Sequence, residues 1–198
     1  MLREKAVEKF ASMPHHAHSS IHQYLKQALA DEDFGRAFAY FDFDFFKVFN
    51  DANGFRVGDR AIVMFADLLR HSLAVGEHFV GHVGGDDFFA GFRLGDDASL
   101  AEAQKLTRGV IERFNRDVMS FYDVETQHRG WIEGVGRDGV RRQFALLRVS
   151  AAIIHLSCAH PEYSLEELGS AMAHAKETAK DAGDHFYQTS LQGGDQAH

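Results

Sequence analysis

Residues 81–92 read GHVGGDDFFAGF. Adjacent glycines suit a tight hairpin because both tolerate positive φ. The flanks are short apolar stretches, so 77–93 reads as two strands around Gly84-Gly85. Directly after the turn come two carboxylates, Asp86 and Asp87. Alone, such a turn is either a solvated bend or a site, and the neighbouring strand decides between them.

The best candidate for that neighbour is Arg36-Ala-Phe-Ala-Tyr-Phe-Asp-Phe-Asp-Phe45, which reads as a largely buried strand. Side chains alternate along a strand, so Asp42 and Asp44 share one face and Phe41, Phe43 and Phe45 the other. Buried carboxylates are costly unless solvated, paired or bound to metal. If this strand lies beside the hairpin, three or four carboxylates converge at one sheet edge. Hard divalent cations prefer such oxygen ligands, and one or two of them suit phosphoryl transfer. Two local readings stay open. Asp42 could cap a short following helix, and Asp51-Ala-Asn-Gly54 could be a plain turn.

The rest of the chain supplies helices. Residues 1–33 read as a helical lead-in in two pieces, broken near Pro14, with Ser19 or Ser20 capping the second. Ile62, Phe65, Leu69 and Leu73 share a helical face within 57–75, and Leu106, Val110 and Phe114 do so within 98–117. Residues 118–143 hold several glycines among charges and read as a long loop or irregular hairpin. Phe144 to Leu156 reads as one strand. Ser164, with Glu167 in the capping-box position, starts a helix that runs to about Ala182 and ends at Gly183, before a short strand from His185 to Thr189. Hairpins and crossovers mix, which predicts an α+β fold with helices on a mainly antiparallel sheet.

The 198 residues fit one domain, expected at 34–190 behind the lead-in, with a disordered tail at 191–198. Eighteen phenylalanines should dominate its core. A formal net charge of -8 argues against a non-specific nucleic-acid or anionic-membrane binder. An anionic small substrate is compatible with this charge, because metals and backbone N–H groups can supply a local positive field. The lone Cys158 excludes an internal disulfide framework. The charged N-terminus lacks a signal-peptide core and no run reaches the ~20 apolar residues of a membrane span, so a cytoplasmic location is expected. There is no GxxxxGK[ST] phosphate loop. An EF-hand fails on register, since Gly54 would put Phe49 first and Arg60 twelfth.

The run from Asp42 through Phe45-Phe46-Lys47, Asn50-Asp51, Gly54 and Gly58-Asp59, followed by Gly84-Gly-Asp-Asp-Phe88, resembles the GGDEF domain of bacterial diguanylate cyclases. Ala179-Lys180-Asp-Ala-Gly183 resembles that family's A-K-x-x-G segment. The resemblance covers about residues 20–190. The GGDDF spelling, Gly54-Phe55 and the long 118–143 segment resemble GGDEF domains found beside phosphodiesterase modules.

The resemblance implies a nucleotidyl-cyclase-like fold with a ferredoxin-like palm. It implies condensation of two GTP into cyclic di-GMP, with release of pyrophosphate, by a homodimer holding one GTP per protomer. Asp42, the Phe43 carbonyl and Asp86 would hold Mg²⁺, or Mn²⁺ in its place. Asp86 and Asp87 would be catalytic, with Asp87 assisting the metals or deprotonation of the 3′ hydroxyl. Backbone N–H groups of Phe45, Phe46 and Lys47 would cradle phosphates, Asn50 and Asp59 would read guanine, and Lys180 would neutralise phosphate charge. The alternative is a weak or inactive domain that binds GTP and regulates an attached phosphodiesterase or a partner; a sensory domain in a longer chain is also compatible.

Some positions depart from the family. Asp184 replaces the usual Arg after A-K-x-x-G, putting a negative charge near the triphosphate, and Phe55 replaces a His. The L-T-G-L-x-N-R lead-in is missing, and the inhibitory R-x-x-D site reads Val75-Gly-Glu-His78. His15, His16 and His18 read as a solvated stretch ahead of the second helix rather than a metal site. Trp131 is either a partner anchor or folds back on the core.

Overall fold

The computed structural model describes residues 15–31, 33–74, 78–157 and 163–191, the first six of these by backbone only. Pro14, Val75-Gly-Glu, Cys158 and the tail beyond 191 lie outside the described residues, as do the side chains of His15, His16 and His18. In chain order the elements are α1 (His15–Ala30), β1 (Gly35–Asp44), α2 (Phe46–Asn53), α3 (Phe55–Ser72), β2 (His78–Gly84), β3 (Asp87–Leu94), α4 (Asp97–Asp117), a 3₁₀ turn (Val118–Phe121), α5 (Val124–Arg129), β4 (Trp131–Val135), β5 (Arg141–Ala145), β6 (Arg148–Leu156), α6 (Leu165–Asp181) and β7 (Phe186–Ser190).

The main sheet runs β2-β3-β1-β6-β7, and β4-β5 form a separate hairpin. All pairs are antiparallel except β6 with β7. The expected α+β class with a mainly antiparallel sheet is therefore the observed one. Its first four strands and two crossovers form the β-α-β-β-α-β palm.

Every residue of β1 is buried, because the strand lies mid-sheet with helices on both faces. Ala37, Ala39, Phe41 and Phe43 join Phe65 of α3 and Phe114 of α4 in one core. Phe38 and Tyr40 join Ile21 and Leu25 of α1 and Leu168 and Met172 of α6 in the other. The period-2 alternation thus assigns one parity of β1 to each layer. Phe65 sits at the first core's centre, its ring 5.4 Å from Phe41, 5.3 Å from Phe43, 4.7 Å from Phe88 and 5.1 Å from Phe114.

Several local expectations are corrected. Ser19 and Ser20 lie inside α1 rather than at its start. Asp51 to Asn53 complete α2, and Gly54, at φ 84°, separates it from α3. Asp42 caps nothing: the residue before α2 is Phe45, and no side chain caps that helix. Phe45 leaves the strand at φ 63°, so it does not share the face of Phe41 and Phe43. Of the two readings of 118–143, the hairpin is the one observed, as β4–β5, and the 3₁₀ turn and α5 precede it where neither reading put a helix. The single strand expected from Phe144 is two. The chain breaks at Leu146-Leu147, where the Leu147 N–H donates to Tyr122 Oη at 2.8 Å and redirects it from hairpin to main sheet.

Phe65→Ala should lower unfolding free energy by about 3–5 kcal/mol through the cavity it leaves. Urea denaturation followed by circular dichroism measures the loss.

Candidate functional site

β1 and β3 are paired so that Asp42 stands opposite Asp87. This register brings the two sequence clusters together, as the hairpin's adjacent acids suggested. Gly84 and Gly85, at φ 137° and 59°, make the turn. His82 Nε2 braces it against the Gly85 carbonyl at 2.9 Å. The Phe43 N–H donates to the Asp86 carbonyl at 3.4 Å, tying the end of β1 to the turn.

Asp42 and Asp44 do share a face, the one covered by α6. Asp42 is 4% exposed and Asp87 fully buried. α6 supplies the cations that such burial demands. Lys180 pairs with Asp42; Lys176 pairs with Asp42 and, at 2.7 Å, with Asp87. The Lys176 ammonium also lies 5.0 Å from the Tyr40 ring centre. Burial raises the Asp42 carboxyl to about 7 against the pull of the Lys176 ammonium. For Lys176, burial disfavours the ammonium, but the Asp42 and Asp87 carboxylates outweigh it and hold its pKa above the ordinary lysine value. Burial, then the Asp87 and Asp42 charges, push the Tyr40 hydroxyl well above the usual tyrosine range.

Asp44 belongs to a different cluster. It accepts from Ser150 Oγ at 2.6 Å and Arg148 Nε at 3.1 Å, both on β6. Of the three or four carboxylates expected at one sheet edge, Asp42 and Asp87 stand opposite each other, while Asp44, tied to β6, lines the same cleft as Asp86.

A cleft of about 490 Å³ opens beside these acids. Phe43, Asp44, Phe45, Phe46, Asp86 and Lys180 are among its lining residues, with Lys47 beside them; the buried Asp42 and Asp87 do not line it. At its floor the left-handed Phe45 leads into α2, whose first N–H groups have no intrahelical partner. The β4–β5 hairpin forms the opposite wall with Arg137 and Arg142, and Arg148 adds a third guanidinium. Sequence reasoning missed these arginines and Lys176. The signal for Lys176 was its spacing, one helical turn ahead of Lys180.

Asn50 on α2 meets α3 at Gly58, where a Cβ would lie 1.8 Å from Asn50 Oδ1. A larger residue at position 58 would displace the Asn50 amide. The Asn50 Oδ1 is buried and has no hydrogen-bond partner among the described residues. Asp59, next to Gly58, is exposed. Asp184 does not line the cleft. It pairs with Arg108 at 2.5 Å, and that guanidinium stacks 3.9 Å over Phe186. The negative charge expected near the triphosphate is thus neutralised elsewhere. Phe55 is 75% exposed.

The donor set suits a hard divalent cation: Asp86 lines the cleft and Asp42 stands behind it, all ligands being oxygens. Among the described residues no three His, Cys, Asp or Glu side chains form a ready-made metal cluster, so water and phosphate oxygens would have to complete the shell. Among the same residues no helix is long and apolar enough to cross a membrane.

The class is therefore an α+β palm that presents paired acids and an open cleft at a glycine-turn hairpin. Comparison with known proteins gives the family. The family model described as diguanylate cyclase, GGDEF domain, matches residues 15–125, more than half of the 198 residues. The chain belongs to this family, whose place is in cyclic di-GMP signalling. It is 27% identical over 138 residues to the bifunctional diguanylate cyclase/cyclic di-GMP phosphodiesterase MucR of Pseudomonas aeruginosa, covering 68% of this chain and 19% of MucR. The chain thus spans about a fifth of that relative. The fold resembles the GGDEF domain of DgcB from Caulobacter crescentus, solved with c-di-GMP: TM-score 0.57, 19% identity, 87% of this chain and 88% of that one. It also resembles the S helix-GGDEF-EAL structure of Vibrio cholerae LapD, bound to c-di-GMP: TM-score 0.61, 14% identity, 87% of this chain and 34% of that one.

A left-handed backbone costs an L-residue roughly 1–2 kcal/mol, least for glycine and most for β-branched side chains. Phe45→Val should therefore be less stable than Phe45→Gly by about 1–2 kcal/mol, read as the difference between their urea-unfolding free energies.

Proposed function

We propose that this domain binds GTP in the cleft and, as a face-to-face homodimer, condenses two GTP into cyclic di-GMP. The carrying observation is the register of Asp42 with Asp87 beside a cleft that joins Asp86 to the Phe45–Lys47 turn. The free N–H groups of that turn, with Lys180, would receive the terminal phosphates. The unpartnered Asn50 Oδ1 would accept from guanine N–H donors, with exposed Asp59 as a second acceptor. Asp86, Asp42 and the Phe43 carbonyl would hold Mg²⁺ or Mn²⁺, which supplies charge neutralisation at the α-phosphate. Asp86 faces the cleft, where the ribose 3′ hydroxyl must lose its proton. Asp87 acts from behind the wall, holding Lys176 and, through it, Asp42. Each 3′ oxygen forms a bond to the opposite α-phosphorus as the bond to pyrophosphate breaks. The product's two-fold symmetry matches a two-fold dimer.

A second reading has one observation in its favour. Lysines already neutralise both inner carboxylates. On that reading the domain binds GTP, turns over little and regulates a phosphodiesterase or sensory partner in a longer chain, an arrangement compatible with the domain pairing named for MucR.

Incubation with GTP and Mg²⁺, with mass spectrometry of the products, separates the two. Cyclic di-GMP from the wild type and none from Asp86→Ala is the expected result. No product, with GTP still raising the melting temperature, would favour the regulatory reading. The Asp184–Arg108 pair lies outside the cleft lining, so Asp184→Ala should leave the GTP-induced melting shift unchanged in thermal scans.

A further inference from the structure

We propose that the Lys176 ammonium is an internal cation that holds the space between Asp42 and Asp87 and thereby weakens divalent-metal binding in the cleft. The inference rests on the reading of Asp42 and Asp86 as metal ligands. Its basis is geometric. Lys176 reaches both inner carboxylates, and its side chain is only 19% exposed. It comes from the face of α6 that also presents Lys180 to Asp42. Two carboxylates opposed in a β-register repel each other, and a cation between them relieves that repulsion. A divalent metal drawn to Asp42 would perform the same task. The two cations compete for the same oxygens and repel each other.

The ammonium cannot take the metal's whole part. It is a singly charged hydrogen-bond donor on a flexible four-carbon arm, with no coordination sites to offer a phosphate or water. A metal arriving at Asp86 must therefore displace Lys176 from Asp42 or bind with Asp42 shared. Either way the metal's affinity is lower than the acids alone would provide. GTP brings its own phosphate oxygens and shifts the competition toward the metal, so metal and nucleotide binding become mutually dependent. A purely structural Lys176 would neutralise the buried acids without this consequence.

The test is Mn²⁺ titration of the full chain without nucleotide, with free Mn²⁺ followed by electron paramagnetic resonance. Wild type, Lys176→Gln, Lys176→Arg and Asp86→Ala are compared. Lys176→Gln should bind Mn²⁺ at least tenfold more tightly than wild type, and Lys176→Arg, which keeps the charge, should not. Without metal the Gln variant should melt lower than wild type, and Mn²⁺ should restore it. If Gln at this position does not fold, Lys176→Met keeps the apolar stem and serves in its place. Equal Mn²⁺ affinity in wild type and the uncharged variants, lost in Asp86→Ala, would overturn the role of Lys176 while leaving the metal site standing. No Mn²⁺ binding by any folded variant would overturn the metal-site reading, and this inference with it.

Discussion

Two carboxylates sit opposite one another inside a sheet, and the rest of the site is arranged around that constraint. Asp42 and Asp87 are register partners on adjacent strands, almost without exposure. Left alone they would repel and lose hydration, a cost no small domain sustains. The solution is α6. Its capping box, made by Ser164 and Glu167, sets where the helix begins. Helical spacing then carries Lys176 and Lys180 to the carboxylates one turn apart. Buried ion pairs contribute little net stability but strongly penalise the loss of one partner. The acids and the helix above them are therefore energetically inseparable.

The sheet's other face explains why the acids stay in place. Phe41 and Phe43 are anchored among Phe65, Phe88 and Phe114, so β1 cannot slip by one residue without exchanging buried rings for carboxylates. The same alternation that buries Phe43 holds Asp42 toward α6. Packing on one side and charge on the other specify a single register. Beyond Asp44 the chain turns sharply through Phe45, which places the start of α2 at the floor of the cleft.

Charge in the cleft is also set by elements distant in sequence. Arg148 and Ser150 fix Asp44 at the cleft wall. The β4–β5 hairpin contributes Arg137 and Arg142, while Arg108 draws Asp184 out of reach. A chain with a formal net charge of -8 thus lines this cleft with three guanidiniums and two ammoniums beside five carboxylates, two of the guanidiniums being paired with lining acids. Local arrangement, not net charge, decides what an anion meets there.

Much of this was legible in the residues. Period-2 alternation around Asp42, the Gly84-Gly85 turn and the Ser164–Glu167 cap are local signals, and each appears in the structure where the pattern put it. So does the α+β class, because hairpins and crossovers are themselves sequence-local. What local pattern could not encode is which elements meet. Lys176 reads as an ordinary helical lysine until α6 packs over β6 and β1 and brings it to Asp42 and Asp87. Asp184 reads as a charge beside the phosphates until Arg108, 76 residues away, takes it. The Asp44–Arg148 pair spans 104 residues. Periodicity, turns and caps act over a few residues and so can be read along the chain. The partners of buried charges follow from sheet order and helix placement, which the folded core alone determines.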